Sequence, residues 1–221
     1  ARFSEGATGP GGDLKKLLLD RENYYATTGG HGCCRGCGEV TAIRLVISSS
    51  HALGQKRRTA QEAEVSGLIE ALLAKRATIA DADAARRRRV DATLRVLDRH
   101  LYLLEGGPTG KGPSSTIIAN ATGCSSVYAS TMPYNPYQDP WVNSLFQDAQ
   151  PLAKGLFEGI SAQANETVRA LRRARLEVAD AWTQAAEDQL TWLDWKQFTA
   201  DELGLMPTFL TIGGDGASYD I

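Results

Sequence analysis

"STIIANATGCSS", residues 115–126, is the stretch on which the fold turns. Within it "STIIAN", Ser115 to Asn120, is a short run rich in β-branched residues, bounded by "GKGPS" before it and Gly123 after it. That is too short for a helix and reads as a buried strand. Cys124 then sits just beyond the strand's C-terminal end, the edge at which open α/β sheets gather their ligands. A second run of the same kind, "PTFLTI" at 207–212, leads into "GGDG" at 213–216. Two such strands among helical segments predict an α/β fold with parallel strands flanked by helices.

The helical segments are read from apolar spacing. In "EVTAIRLVISSSHAL" (39–53), Val40, Ile43, Leu45, Val46 and Leu53 follow a helical period, so Gly38 and Glu39 open a helix. From about 55 to 105 charge becomes dense and two further patterns appear: Val65, Leu68, Ile69, Leu72 and Leu73, then Val90, Leu94, Leu97, Leu101 and Leu104. These predict an inserted antiparallel helical hairpin. Arg86 to Arg89 lie near its turn, as a solvated helix start or, less simply, a docking patch for an acidic partner. One long helix is expected over about 149–185, with Leu156, Ile160, Val168 and Leu171 on one side. A second carries Trp192, Trp195 and Phe198 as a packing stripe, and "TADE" at 199–202 has capping-box form. In "TMPYNPYQDPWVNSLFQDAQ" (131–150), Pro133, Pro136 and Pro140 exclude a regular helix until about Asn143 and point to an ordered, functional loop.

Composition narrows the class. The chain has 221 residues, 43% hydrophobic, enough for a buried core, and a formal net charge of -2. No global attraction to nucleic acid or to an anionic membrane follows from that charge, so neither is expected as a partner. No apolar run approaches the ~18 residues of a membrane span, and "ARFSEGATGPGGD" at the start is a loose Gly-rich lead-in without the apolar centre of a signal peptide. The expected location is cytoplasmic, with thiols reduced or metal-bound. Both ends read as cut, the first residue being Ala and the last residues interrupting a motif, so a fragment is expected.

The chemistry lies in thiols and one carboxylate. "GCCRGCGE" at 32–39 puts Cys34 and Cys37 at CxxC spacing at a helix start, where unpaired N–H groups and the helix dipole favour negative charge. With Cys124 they offer three thiolates, a set that zinc and iron–sulfur clusters both accept if a fourth ligand exists. Cys33 points elsewhere by adjacency, and His31 could complete a zinc site. A thioredoxin-like redox site is disfavoured, because no βαβ strand precedes the motif. In "GGDG", glycines let backbone approach a phosphate and Asp215 supplies one hard oxygen for magnesium, although Gly-Asp-Gly is also an ordinary turn. "EGGPTGKGPSS" at 105–115 fails as a phosphate loop: Gly112 follows Lys111 where Ser or Thr is needed, and Glu105 stands where the first glycine belongs.

Taken together and in this order, "GCCRGCGE", "ANATGCSSVYASTMPYNPYQDPWVNSLFQDAQPLAKGLFEG" and "GGDGASYDI" resemble the thiamine-diphosphate-binding region of pyruvate:ferredoxin (flavodoxin) oxidoreductases. The likeness is strongest over 117–159 and absent from about 55–105. It implies that the whole chain, 1–221, is an incomplete thiamine-diphosphate-binding domain with a helical insertion at about 55–105. It also implies that Cys34, Cys37 and Cys124 hold a 4Fe-4S cluster, that Asp215 binds magnesium, and that Gly214 and Gly216 lie beside the cofactor's diphosphate. Ser125 and Ser126 become candidates for diphosphate contact.

The implied reaction is oxidative decarboxylation of pyruvate or a related 2-oxoacid to an acyl-CoA. Electrons would pass through the cluster to ferredoxin or flavodoxin, and the full-length enzyme would be a homodimer. The sequence departs from the family's pattern in the long insertion, in Ala217 where an aromatic is usual, and in Arg35 where a small residue is common. The remaining magnesium ligands and the fourth cluster cysteine are expected beyond Ile221. The glutamate that activates the cofactor is expected from another domain, Glu39 being a helix-start residue, so no catalytic residue is assigned within the chain. The rival expectation is a non-catalytic module in which Cys34, Cys37, Cys124 and His31 hold zinc and the hairpin docks a partner.

Overall fold

The apolar run at 116–120 is strand β1 (Thr116–Asn120), buried along its whole length, and it is the centre of a small sheet. The computed structural model describes residues 33–34, 37–121, 123–129, 137, 139–144 and 148–214. Around β1 the chain forms α1 (Gly38–Thr78), α2 (Ala84–Leu104), α3 (Cys124–Ala129), β2 (Trp141–Asn143), α4 (Ala149–Val178), α5 (Gln184–Thr191), α6 (Ala200–Leu203) and β3 (Thr208–Ile212). The strand order is β2-β1-β3. β2 lies parallel to β1, with Ile118 opposite Trp141 and Asn120 opposite Asn143. β3 runs the same way: the Thr208 N–H donates to the Ser115 carbonyl and the Ala121 N–H to the Ile212 carbonyl, each at 2.8 Å. The fold is α/β, with an open parallel sheet flanked by helices. β2 was not anticipated, because a three-residue strand directly after Pro140 leaves no periodic signal.

The chain divides into two units. One comprises Ala1–His51, Thr116–Ala153 and Phe209–Ile221; the other comprises Ala52–Ser115 and Lys154–Thr208. In the first, Val40, Ile43 and Ile47, at helical steps of three and four along α1, pack with Ile118 and Tyr137, and Leu210 and Ile212 complete the cluster.

The second unit is helical. Val65, Ile69 and Leu72 of α1 and Val90, Leu94, Leu97 and Leu104 of α2 share one core with Ala170, Leu171 and Ala174 of α4. The hairpin is as expected except that Leu73 is turned outward. The helix carrying the cysteines and the first hairpin helix are one element, because "GQKRRTAQEAE" at 54–64 holds a single glycine and no proline. A lone glycine costs about 1 kcal/mol and does not stop a helix. Asp83 opens α2, its carboxylate accepting from the Arg86 N–H at 3.0 Å.

Arg86 and Arg89 are neither solvated nor free for a partner. Both donate to the carboxylate of Glu177, which is fully buried, at 2.9 and 2.6 Å. Arg89 also lies over the Trp182 ring, 3.4 Å from its centroid. α4 stops at Val178, short of the predicted 185, because Asp180 takes a left-handed conformation (φ 53°) and the Ala181 N–H turns back to the Leu176 carbonyl. α5 in turn ends at Thr191, so the aromatic stripe is only partly realised: Phe198 is buried and Trp192 is 83% exposed. The capping box at Thr199 and Glu202 forms as predicted and starts α6. No helix among the described residues is long and apolar enough to cross a membrane.

Candidate functional site

The site is built where the parallel strands of the first unit end. A buried polar network sits there. Asn120, the last residue of β1 and fully buried, donates through its amide to Asn143 Oδ1 at 2.7 Å, and its own Oδ1 accepts from the Ser125 hydroxyl at 2.7 Å. The Trp141 indole N–H reaches the same Asn143 oxygen at 3.2 Å. The Ser144 N–H donates to the Asn120 carbonyl at 2.7 Å, continuing the ladder past the strand. Each buried polar atom of this network has a partner, which is the condition for burying it at low cost. Across β1 the Ala121 N–H bonds the Ile212 carbonyl, so the segments entering "ATGCSS" and "GGDG" are hydrogen-bonded neighbours.

The cysteine turn belongs to the same end. Ser50 of α1 shares a 2.6 Å hydrogen bond with Thr116 at the start of β1, while Val40 packs in one cluster with Ile212 at the end of β3. α1 therefore runs against the strands, with its N-terminal turn toward their C-terminal ends. Cys33 and Cys37 pack against that cluster. The Cys37 N–H donates to the Cys34 carbonyl at 3.2 Å, closing a tight turn, and the Cys37 carbonyl accepts from both the backbone N–H and the hydroxyl of Thr41 at 3.3 Å. Cys33 is directed away, its thiol donating to the Cys34 carbonyl at 3.3 Å.

Tyr137 and Arg44 complete this corner. Tyr137 is buried, stacks on Trp141 with ring centroids 4.9 Å apart, and lies under the Arg44 guanidinium at 4.4 Å. Burial pushes its phenol up; Arg44 opposes this, and Cys33 and Cys37 add to it. Burial likewise lowers Arg44 from the usual guanidinium range, with Tyr137 opposing. His51 Nε2 meets both oxygens of the buried Asp139 carboxylate at 2.8 and 2.9 Å, tying the loop before β2 to α1.

Of the residues named from sequence, Cys34 and Cys124 are exposed, Cys37 is half-buried, and all are free thiols. Ser125 is buried with its hydroxyl hydrogen given to Asn120. Ser126 is half-buried, its oxygen accepting from the Gly123 N–H at 3.2 Å. Gly214 is exposed, with open space where a Cβ would stand. Asp215, Gly216 and His31 lie outside the described residues, as do the Gly-rich lead-in and most of 130–138. Among the described residues no three Cys, His, Asp or Glu side chains are grouped so as to hold a metal ion. The sequence reading missed Asn120, Asn143, Tyr137 and Arg44. An asparagine closing an apolar strand is the one signal that pointed to any of them, since strands are depleted in Asn.

Comparison with known proteins gives three informative relatives. The chain is 42% identical over 53 residues to the pyruvate synthase subunit PorB of Methanosarcina barkeri, covering 24% of this chain and 18% of the relative. It is 29% identical over 144 residues to the pyruvate-flavodoxin oxidoreductase of a Nostoc species, covering 48% of this chain and 12% of the relative. To the pyruvate-flavodoxin oxidoreductase of Enterobacter agglomerans it is 36% identical over 86 residues, 36% of this chain and 7% of the relative. The chain thus resembles part of the pyruvate oxidoreductases and spans less than a fifth of the length of the curated relatives it matches. No protein-family model matches it, and no solved structure does.

Proposed function

We propose that this chain is part of a 2-oxoacid oxidoreductase, contributing strand-end residues to a magnesium–thiamine-diphosphate site and thiols to a 4Fe-4S cluster. The observation that carries the reading is the hydrogen bond between Ala121 and Ile212, which joins the segment before the thiol of "ATGCSS" to the segment before the carboxylate of "GGDG". The exposed backbone at Gly214 suits close approach of a phosphate, and Asp215 directly follows it as a hard oxygen donor. Cys34, Cys37 and Cys124 are free thiols, the soft donors that iron–sulfur clusters take. When bound, thiamine diphosphate supplies the electron sink for decarboxylation and the cluster supplies one-electron transfer.

The chain's own residues have three tasks in this reading. Asn120 and Asn143 fix the backbone of the two strand ends through their hydrogen-bonded network, so that the "ATGCSS" turn is held against β1. Tyr137, Trp141 and the apolar side of α1 cover the Cys33 and Cys37 side of the cysteine turn and leave Cys34 open. Asp215 and Gly214 bind and orient the cofactor's magnesium and diphosphate. The whole enzyme would convert pyruvate or a related 2-oxoacid and coenzyme A to an acyl-CoA, with ferredoxin or flavodoxin as acceptor, in the cytoplasm and as a homodimer.

The test is made on the full-length polypeptide purified without oxygen. Cys124→Ser is expected to remove cluster iron and acceptor reduction while thiamine diphosphate still binds; Asp215→Ala is expected to weaken cofactor binding and spare iron and acid-labile sulfide. Zinc in place of iron, or unchanged iron in Cys124→Ser, would overturn the reading in favour of a structural metal module.

A further inference from the structure

The second unit contains a cavity of about 910 Å³, near the top of the ~300–1,000 Å³ range of small-molecule sites. Its charge is one-sided. Arg57, Arg58, Arg95 and Arg99 line it, and the one carboxylate on its wall is Glu166. Five other arginines of this unit are paired with carboxylates: Arg76 meets Asp91, Arg86 and Arg89 meet Glu177, Arg172 meets Glu202, and Arg173 meets Glu187. The four cavity arginines make no ion pair among the described residues, Arg95 acting on Asp91 only at longer electrostatic range.

Arg58 is held by the glycine loop, donating to the carbonyls of Lys111 and Pro113 at 3.0 and 3.5 Å, and Arg57 donates to the Thr208 hydroxyl at 3.5 Å. Those acceptors are neutral, and Arg58 has no carboxylate partner among the described residues. Arg95 and Arg99, one turn apart on α2, make no hydrogen bond or ion pair among the described residues. A smaller cavity of about 240 Å³ in the same unit makes the contrast: Glu64, Asp201 and Glu202 share its wall with Arg57 and Arg175, and Arg175 pairs with Glu64 and Glu202.

The larger cavity also has an apolar side, formed by Val96, Leu104, Ile160 and Met206. His100 lines it too, and its Nε2 is buried without a hydrogen-bond partner among the described residues. Guanidinium forks match phosphate oxygens in pairs, and four of them beside an apolar wall select a ligand with a phosphate head and an apolar body.

We propose that the helical unit binds a small phosphate-bearing amphiphile in this cavity, its head held by Arg95 and Arg99 together with Arg57 and Arg58. The proposal is independent of the cofactor reading, because none of these residues belongs to the strand-end site. It also gives the insertion a role of its own.

Isothermal titration of the full-length polypeptide with n-octyl phosphate tests it, with inorganic phosphate, n-octanoate and phosphatidylglycerol vesicles as the other probes. The expected result is one saturable site for octyl phosphate, at least about tenfold tighter than for inorganic phosphate or octanoate. The Arg95→Ala/Arg99→Ala double variant should weaken it at least about tenfold. Arg88→Ala, an exposed arginine outside the cavity, should leave it unchanged. Circular dichroism of the double variant, whose two side chains are exposed, should match the parent. Absence of saturable octyl phosphate binding, or equal affinity in the double variant, overturns the proposal. Arginine-dependent binding to vesicles with none to octyl phosphate overturns it as well and assigns the arginines to a lipid surface.

Discussion

The strand ends and the helical unit handle buried polar groups in opposite ways. At the strand ends the network is neutral: Asn120, Asn143, Ser125 and Trp141 satisfy one another through amide, hydroxyl and indole groups. In the helical unit it is ionic, with Glu177, Glu187 and Glu202 each gripped by arginine. A neutral network is directional and carries little field, which suits a place where charged ligands must be oriented without competing charge. An ionic one locks long helices together but is costly to break, because a buried charge left alone cannot be resolvated. The motifs that carry the resemblance to pyruvate oxidoreductases, "GCCRGCGE", "ATGCSS" and "GGDG", all fall in the first unit.

The largest effect is therefore expected at Glu177. Glu177→Ala leaves Arg86 and Arg89 facing a buried void and should cost about 3–5 kcal/mol in urea unfolding. Glu177→Gln keeps the shape and two acceptor lone pairs, and should recover part of the loss. A cost below that of a surface substitution would mean that the arginines are already solvated and that the ionic description of this unit is wrong.

Asn120→Ala probes the neutral side. It strands the Ser125 hydroxyl, leaves the Asn143 oxygen only the Trp141 indole, and should cost about 1–3 kcal/mol. Since Asn120 also fixes the strand end, thiamine diphosphate affinity of the full-length polypeptide should fall with it, whereas Glu177→Gln should leave that affinity unchanged. If Asn120→Ala costs more stability than Glu177→Ala, the contrast between the units is inverted.

This division bears on what was legible in the sequence. β1 and β3 were readable as short β-branched runs between turn residues, the two hairpin helices because their apolar residues repeat at the helical period, and Thr199 with Glu202 announced a cap by type and spacing alone. The cysteine, serine and glycine motifs were readable as chemistry. The joining of α1 was not, because a single glycine and no proline in "GQKRRTAQEAE" permit a helix to continue without an apolar period to announce it. The partners of Arg86 and Arg89 were equally hidden: Glu177 lies about ninety positions away and looks like any surface glutamate of an amphipathic helix. Asn143 is invisible for the same reason, its meaning coming from register with Asn120 across two parallel strands.

The smallest expected effect is pH dependence, and the groups that carry it all lie in the helical unit. Burial alone holds His100 below its usual 6.5. A depressed folded value means that the unfolded chain takes up the proton first. Its contribution is thus complete above about 6.5 and is lost as pH falls from there toward the lowered folded value, with a slope of at most ~1.4 kcal/mol per pH unit. Below that window the carboxylates take over. At Glu187 the Arg173 hydrogen bond lowers the carboxyl; at Glu202 burial raises it, but Arg172 and the Thr199 N–H together outweigh burial. Both contribute stability above the ordinary glutamate range, near 4.5, and lose it as pH falls through their depressed folded values. Urea midpoints of the full-length polypeptide between pH 7 and 4 should accordingly fall in two stages. His100→Gln should remove the upper stage and leave the lower, while a profile that stays flat down to pH 5 and is unaltered by the substitution would mean that the His100 ring is solvated in the folded state.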